Sequence, residues 1–349
     1  MAEVTDRLKK IPGYQPGMPA HRMDDVTFMD ELELMWGRKW GAQSELGELK
    51  LAIVHRPGEE ELAEEVDAAP AFFWNYGSAI TPFDLEKKQR QHDQFAAALR
   101  SEGVELIYAN FPPTVRGIYS GIRGLAAPDP QIINGGAIIP RCAIAGKRGM
   151  EILWTKKLAE LGCPILLTIH GSGIHEVRAN TVWLDPKHVA IGCSVRSNLE
   201  GIRQVEPVYR DAGVEEIHIA YLPGFLYTKG RKTNAGAFHL DNVLGMVNEK
   251  LAVVVPAGLD YDTIAYLREK KIRLIEVPEE EAVNEAGNCL AIRPGVVVMA
   301  AGSPVTCAAL RKEGCRVIEV DMSEMSTRGG GPVCYTGPAI REPGPYLDD

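Results

Sequence analysis

A cysteine that follows a run of glycines is the most chemically informative feature of this sequence. Cys334 comes directly after the segment RGGGPV near the C-terminus. Glycines let a backbone adopt unusual torsions and approach a ligand closely, so the run predicts a cysteine presented at the mouth of a cavity. A lone cysteine is more often a small buried apolar residue, and the glycine run is what favours a nucleophile here.

A histidine and an aspartate two residues apart form a second candidate group. His239 and Asp241 lie in the segment FHLD, just ahead of a strand-like run. Residues two apart on an extended chain point to the same face, so an imidazole and a carboxylate can address one ligand together. A structural His–Asp pair is the commoner reason for this spacing. Together with Cys334, however, the pair predicts a base for a nucleophile.

A repeated unit must position these residues. Helices with apolar residues three and four apart run into short strands rich in Val, Ile and Leu. The five copies are HDQFAAALRSEGVELIYA, WTKKLAELGCPILLT, VEPVYRDAGVEEIHIAY, IAYLREKKIRLIEV and AALRKEGCRVIEV. Paired strands broken by polar turns lie between them, at Asn134–Gly136, Asp185–Lys187, Asn248–Lys250 and Arg293–Gly295. The repeat is therefore a ββαβ unit, and about five such units favour a closed ring.

The ring predicts one catalytic domain rather than two halves joined by a linker. We place this domain at residues 45–342, with an N-terminal arm at 1–44 and a C-terminal tail at 343–349. The arm contains an amphipathic helical segment at 29–36 that could cover a site or a subunit contact, and simple packing is the interpretation we favour.

Composition limits the partners of the chain. Its formal net charge is −9 and it has no basic run, which argues against nucleic acid or an anionic membrane as a partner. Seven cysteines without CxxC spacing, and an N-terminus without an apolar segment, are typical of a reduced cytoplasmic protein. We predict a cytoplasmic enzyme with a small-molecule substrate, and the sequence leaves open whether it forms a homo-oligomer.

Several motifs of the chain resemble those of the amidinotransferase, arginine deiminase and dimethylarginine dimethylaminohydrolase superfamily. LKLAIVHRP is similar to the family's opening strand, APDPQIINGG to its substrate-aspartate turn and WLDPKHVAIGCSVRSN to its middle hairpin. FHLD is similar to its His-x-Asp motif and GGGPVCYT to its nucleophile motif. The resemblance covers most of the chain and implies the pentein fold, an α/β five-bladed propeller of ββαβ units around a pseudo-five-fold axis.

The resemblance also implies a role for each matching residue. Cys334 becomes the nucleophile, His239 the general acid and base, and Asp129 and Asp241 the carboxylates that hold the nitrogens beside the attacked carbon. Arg196 matches an arginine that contacts the substrate carboxylate in amino-acid-processing members; a surface arginine in a loop salt bridge is the alternative. We predict neither a metal nor another cofactor, because His239 and Asp241 have no third ligand at zinc-like spacing.

One segment departs from the family pattern. Members commonly have EGGD or EGAD before the middle hairpin, where this chain has Val177, Arg178, Ala179 and Asn180. Glu176 sits one position early, and on an extended strand it replaces the lost glutamate only if the backbone bulges. The loss of acids and the added Arg178 favour a substrate less cationic than arginine.

The predicted function is a cysteine-dependent hydrolase that attacks a planar carbon bonded to nitrogen, in a guanidine, amidine or related small molecule, through a covalent thioether. Three alternatives stay open: a hydrolase of a neutral nitrogen heterocycle such as a nitro-azole, releasing nitrite; an amidinotransferase; and a non-catalytic pentein that binds a ligand.

Two further segments have open roles. Phe72, Phe73, Trp74 and Tyr76 could wall a pocket or form plain core, and the loop at 229–232 could be a lid or a solvated turn.

Overall fold

Five three-stranded sheets form the frame of the molecule. The computed structural model describes residues 6, 9–10, 14–17, 26–59, 84–111, 129–144, 147–224, 237–282, 284–328 and 330–348. The aromatic cluster at 72–76 and the loop at 229–232 lie outside these ranges. The strands are β1 Leu49–Val54, β2 Glu105–Tyr108, β3 Gln131–Ile133, β4 Gly136–Ile139, β5 Ile165–Thr168, β6 Thr181–Trp183, β7 His188–Cys193, β8 Glu216–Tyr221, β9 Leu244–Asn248, β10 Leu251–Val254, β11 Arg273–Glu276, β12 Leu290–Arg293, β13 Val296–Ala300, β14 Arg316–Val320 and β15 Gly337–Arg341.

All five sheets have the same topology. Their strand orders are β15–β1–β2, β3–β4–β5, β6–β7–β8, β9–β10–β11 and β12–β13–β14. In each sheet the first strand is antiparallel to the middle one, and the third strand is parallel to it. Because β15 pairs with β1, the two ends of the chain complete one sheet and close the ring.

A helix supplies the crossover between the parallel strands of each unit, as parallel pairing requires. The helices are α1 Phe28–Trp36, α2 Leu85–Ser101, α3 Met150–Glu160, α4 Leu199–Asp211, α5 Tyr261–Glu269, α6 Glu279–Ala282 and α7 Pro304–Lys312. Asp84, Asn198 and Asp260 cap α2, α4 and α5, since each side chain accepts a backbone N–H of the first turn. Five ββαβ units in a closed ring confirm the predicted five-bladed α/β propeller.

The predicted polar turns connect the first and middle strands of four units. The middle strands are buried, for example over the whole of β13, because neighbouring units and the crossover helices cover both faces. This explains why these strands read as continuous apolar runs rather than as alternating ones.

The helix α1 of the N-terminal arm and the described part of the C-terminal tail pack at the end of the propeller where the hairpin turns lie. Leu32 of α1 is fully buried, and a Cβ at Gly135 in the β3–β4 turn would lie 3.3 Å from Met29. In the tail, the Leu347 N–H donates to Asp185 in the β6–β7 turn at 2.7 Å. A cavity of about 550 Å³ at this end is lined by Leu46, Leu184, Glu249, Lys250, Pro294, Gly344, Pro345, Tyr346 and Leu347.

The helix predicted in the arm therefore packs against a hairpin turn. The domain boundaries at 44/45 and 342/343 remain a prediction; β1 begins at Leu49 and β15 ends at Arg341. All seven cysteines are free thiols; Cys193 and Cys334 are partly exposed and the other five are buried. In the part of the chain described, none of the helices has the length and apolar character needed to cross a lipid bilayer.

Candidate active site

Polar side chains from all five units meet at the end of the propeller opposite the hairpin turns. Each lies in the segment just before the first strand of its unit: Asp129 before β3, Glu176, Arg178 and Asn180 before β6, His239 and Asp241 before β9, Glu285 and Asn288 before β12, and Cys334 before β15. Hydrogen bonds between units hold these segments together, such as Asp241 N to the Ala179 carbonyl at 3.0 Å. The propeller therefore gathers residues that are far apart in sequence.

Equivalent positions of the units carry different chemistry. The position five residues before the strand holds Glu176, His239 and Glu285 in three successive units. The position three residues before the strand holds Arg178, Asp241 and Cys334 in three of the units. Because the units repeat around one axis, Arg178 and Asp241 occupy places that correspond to that of the candidate nucleophile.

Two glycines allow Cys334 to approach its neighbours. Gly330 has φ of +105°, a conformation that side chains rarely adopt, and a Cβ there would lie 3.3 Å from the Cβ of Cys334. A Cβ at Gly331 would lie 2.7 Å from the side-chain oxygen of Asn288. The glycine run is thus required both by torsion and by close packing beside the thiol.

Asn288 holds the cysteine and was not among the predicted site residues. Its Nδ2 donates to Cys334 Sγ at 3.3 Å and to the Asp241 carbonyl at 3.3 Å, while its Oδ1 accepts from Val333 N at 2.9 Å. Asn288 is fully buried. The sequence feature that could have identified Asn288 is its position two residues before a strand, in the same kind of polar segment that holds His239 and Asp241.

His239 pairs with Glu176 and not with Asp241. His239 Nε2 and Glu176 Oε2 are 2.6 Å apart, and Glu176 Oε1 accepts from Ala143 N at 3.0 Å. Burial acts to raise the pKa of Glu176, but the charge of Arg196 and the His239 hydrogen bond outweigh it and hold that pKa well below its usual range. An ionised Glu176 can only accept, so Nε2 carries the proton and Nδ1 of a neutral ring is left as a base.

Burial lowers the pKa of His239, and the contact with Glu176 offsets that effect only in part. The imidazole is therefore neutral near pH 7 and able to accept a proton. Within the described residues, no hydrogen bond joins His239 to Cys334.

Two of the local predictions were wrong about the backbone. Residues 177–180 form a turn in which Asn180 N donates to the Glu176 carbonyl at 3.0 Å, and β6 begins only at Thr181. The premise of an extended strand fails, so Glu176 reaches His239 without a strand bulge. Likewise His239 precedes a 3-10 turn at Leu240–Asn242 rather than an extended chain, so the two-residue strand spacing does not apply to His239 and Asp241.

Not every residue of the departing segment faces the site. Val177 is fully buried in the apolar core with Ile191 and Val205. Asn180 is also fully buried, and its Oδ1 accepts from Leu240 N at 3.2 Å, so it fixes the turn that carries His239. We assign Asn180 to positioning that turn.

Asp129 lies beside Lys147, a second residue that was not predicted. Lys147 Nζ donates to Asp129 Oδ1 at 2.8 Å, and both side chains are buried. Burial raises the pKa of Asp129 while the charge of Lys147 opposes this. Oδ2 of Asp129 has no hydrogen-bond partner within the described ranges.

Asp241 and Arg178 lie at corresponding positions of neighbouring units, close enough for the charge of one to act on the other. Burial raises the pKa of Asp241 to about 8, and the charge of Arg178 opposes that shift. Burial and the nearby Asp241 and Glu285 raise the pKa of the Cys334 thiol, whereas a hydrogen bond with the backbone of Gly331 and the charge of Arg178 lower it. Both carboxylate oxygens of Asp241, and Nε and Nη2 of Arg178, have no hydrogen-bond partners among residues of the described segments.

Arg196 is not a surface residue. It is 4% exposed, its Nη1 lies 3.6 Å from Glu176 Oε1, and its guanidinium lies 5.0 Å from the centre of the Phe238 ring. The alternative of a surface salt bridge is therefore wrong. Arg196 instead supplies the positive charge that keeps Glu176 ionised.

Comparisons with known proteins agree with this architecture. A family model for arginine deiminase matches residues 257–341. The chain is 26% identical to the 2-nitroimidazole nitrohydrolase of Mycobacterium sp. (strain JS330), over 98% of this chain and 94% of that protein. It is 24% identical to the arginine deiminase of Mycobacterium avium (strain 104), over 87% of this chain and 98% of that protein. A dimethylarginine dimethylaminohydrolase from Pseudomonas aeruginosa, solved with citrulline, superposes with a TM-score of 0.64 at 23% identity, covering 84% of this chain and 100% of that one.

Proposed function

Because this chain belongs to the pentein guanidine-modifying superfamily, we propose that it is a cysteine-dependent hydrolase that attacks a planar carbon bonded to nitrogen in a small molecule. One observation carries the proposal: Cys334, Asp241 and the His239–Glu176 pair meet at one end of the propeller, although they come from separate units. The names of the relatives, a nitrohydrolase and a deiminase, support the same class of reaction.

In the first step the thiol of Cys334 loses its proton to Nδ1 of His239, directly or through one water. Asn288 donates to the sulfur, and a charged acceptor strengthens such a hydrogen bond, so it favours the thiolate. The thiolate attacks the planar carbon and the bond to the leaving nitrogen breaks. His239 returns the proton to a leaving group that departs as an amine.

In the second step water replaces the sulfur. Neutral His239 takes a proton from the water, the oxygen bonds to the carbon, and the carbon–sulfur bond breaks to restore Cys334. Glu176 keeps the imidazolium that forms in each step close to a fixed negative charge, which lowers the free energy of that charged state.

Asp129 and Asp241 supply the acceptors that orient the ligand. Buried polar atoms are normally hydrogen-bonded, so Oδ2 of Asp129 and both oxygens of Asp241, which lack partners among the described residues, are suited to the N–H groups of a planar ligand. Such a ligand would be held with its carbon in reach of Cys334, which is the positioning that an unreactive carbon requires.

A second candidate is hydrolysis of a neutral nitro-azole with release of nitrite. The similarity to a 2-nitroimidazole nitrohydrolase over nearly the whole chain supports it. The presence of Arg178 near Cys334 and Asp241 supports it as well, because a cation at this place disfavours a cationic substrate.

The experiment that tests the proposal is a product assay with a covalent trap. Arginine, agmatine, small guanidines and 2-nitroimidazole are incubated with the protein, and ammonia, amine and nitrite are measured. Mass spectrometry of quenched protein should detect one adduct per chain on Cys334, absent from Cys334→Ala and present in the control Cys193→Ala. No product and no adduct with any compound would overturn the hydrolase assignment. Product that requires an added amine would instead support an amidinotransferase.

A further inference from the structure

Three carboxylates at this end of the propeller already have resident cations. Asp129 Oδ1 accepts a hydrogen bond from Lys147 Nζ at 2.8 Å, and Glu176 Oε1 lies 3.6 Å from Arg196 Nη1. Asp241 has Arg178 as the nearby cation. Glu285 is a fourth acid, and its carboxylate accepts from the Gly330 N–H at 3.4 Å.

Such a site is expected to bind a guanidinium substrate weakly. A buried cation is tolerated only when a carboxylate balances it. Here Asp129 and Glu176 are already paired with Lys147 and Arg196, and burial raises the pKa of Asp241 to about 8, so near pH 7 its neutral form leaves the charge of Arg178 unbalanced. Binding a further cation would place it near Lys147, Arg178 and Arg196 without a matching number of free negative charges. The site therefore favours a ligand that carries no positive charge.

Arg178 has two buried donors without an acceptor within the described ranges, whereas Arg196 has one, its Nε. Lys147 is bonded to Asp129, and Arg196 contacts Glu176 and the Phe238 ring. Arg178 is 7% exposed, and within the described ranges its Nε and Nη2 have no acceptor. A buried guanidinium with unused N–H groups is costly unless something accepts from them, so these donors indicate an acceptor on the ligand.

The position of Arg178 indicates that the ligand group that accepts its hydrogen bonds lies near the reacting carbon. Arg178 stands three residues before its strand, as Asp241 and Cys334 stand before theirs, so the three approach the pseudo-five-fold axis from corresponding places. The charge of Arg178 also acts on both Asp241 and the thiol of Cys334. The guanidinium of Arg178 is thus buried within electrostatic range of the nucleophile.

We propose that Arg178 contacts the substrate and binds the oxygen atoms of a leaving group that departs as an anion, so that the site takes an uncharged planar azole bearing a nitro group. The inference rests on the proposed hydrolase and adds its substrate class and a specificity-determining residue. Two coplanar oxygens match the planar fork of a guanidinium, and the match improves as negative charge develops on them.

The reaction balances without a further reactant. The Cys334 thiolate forms a carbon–sulfur bond, and the carbon–nitrogen bond breaks with its electron pair going to nitrite. Water then forms a carbon–oxygen bond, the carbon–sulfur bond breaks to return the thiolate, and His239 accepts the proton. The sum is a nitro-azole plus water giving a hydroxy-azole, nitrite and one proton, with no net oxidation or reduction. Nitrite leaves as an anion and needs no proton, so the proton that His239 took from the thiol passes to solvent before the second step and is the one proton released.

The test compares Arg178→Gln, Arg178→Lys and the control Arg203→Gln, an exposed arginine of α4. With 2-nitroimidazole we expect Arg178→Gln to reduce kcat/KM for nitrite release by roughly 100-fold or more, because two charge-assisted hydrogen bonds are lost. Arg178→Lys keeps the charge but not the fork, and we expect a loss of about 10-fold. Arg203→Gln should equal the wild type.

Product inhibition supplies a readout that does not depend on maximal rate. Added nitrite should inhibit the wild type, and its inhibition constant should rise about 10-fold in Arg178→Lys, which also serves if Arg178→Gln does not fold. Nitrite release by Arg178→Gln at close to the wild-type kcat/KM would overturn the inference.

Two further outcomes separate the inference from the hydrolase assignment. Turnover of arginine or agmatine with no nitrite from nitro-azoles would overturn the role of Arg178 and leave the hydrolase intact. Absence of every product, without an adduct on Cys334, would overturn both.

Discussion

Replacing Glu176 with glutamine tests how the imidazole is controlled. Glu176→Gln keeps the size of the side chain but removes the negative charge that His239 Nε2 contacts at 2.6 Å. A hydrogen bond to a charged partner contributes about 1.5–3 kcal/mol, and here it is strongest when His239 is protonated in the reaction. We therefore expect kcat to fall roughly 10- to 150-fold at about 1.4 kcal/mol per tenfold.

The same substitution changes stability in a pH-dependent way. The pKa of Glu176 is lowered in the folded state from its ordinary value of 4.5, so its ionised form stabilises the fold above pH 4.5. That contribution declines as the pH falls below 4.5 towards the folded pKa. Glu176→Gln lacks this dependence, and it also leaves Arg196 buried without its carboxylate, which costs about 3–5 kcal/mol in comparable buried pairs.

A matched control is available in Glu281. This buried carboxylate accepts from Val305 N at 2.7 Å and Thr306 N at 2.8 Å at the start of α7, and among the described residues it forms no hydrogen bond with His239 or Cys334. Glu281→Gln should lower the melting temperature without changing kcat of the folded enzyme. Kinetics from mildly acidic to alkaline pH, with thermal unfolding of each variant, measure both effects. A wild-type kcat and pH profile in folded Glu176→Gln would refute the role of the Glu176–His239 pair.

Three other changes have expected outcomes. Cys334→Ser should abolish turnover with an unchanged circular dichroism spectrum, because a hydroxyl is a far weaker nucleophile than a thiolate. Full activity of this variant would contradict the role of Cys334 as nucleophile. Each of the other six cysteines should be replaceable singly with a loss of stability alone. Asn288→Ala should raise the pKa of the Cys334 thiol and slow its alkylation by iodoacetamide about 10-fold at mildly alkaline pH, so an unchanged rate-versus-pH curve would count against the Sγ contact. Lys147→Gln should shift preference about 10-fold towards agmatine over 2-nitroimidazole by removing the cation beside Asp129, and an unaltered ratio would show that this ion pair does not set substrate charge.

The architecture could be predicted because it repeats. Each ββαβ unit shows its own periodicity, as in β13 with its buried valines and α7 with its three- and four-residue spacing. Turn chemistry marked the hairpins, and the glycines before Cys334 marked a special backbone. Such signals are local in sequence, so they predicted the fold, and the resemblance then implied the candidate site residues.

The contacts between units could not be predicted in the same way. Asn288 reaches Cys334 over 46 residues of sequence, and Glu176 reaches His239 over 63. The turn at 177–180 depends on the Asn180–Glu176 backbone bond and on the neighbouring unit, so strand periodicity gave the wrong face for Glu176. Substituting Val177 by an acid, which the family pattern suggests as a way to restore a lost carboxylate, would bury a charge in the core rather than add one to the site.

The net charge of the chain and the charges at the candidate site also differ in what the sequence can predict. A net charge of −9 is compatible with a cationic substrate, yet it says nothing about which acids are paired. The fold places Lys147 beside Asp129, Arg196 beside Glu176 and Arg178 near Asp241. A buried ligand responds to charges within a few ångströms far more than to distant solvated ones, so we expect these three cations, rather than the acidic surface, to determine the charge of the ligand that the site accepts.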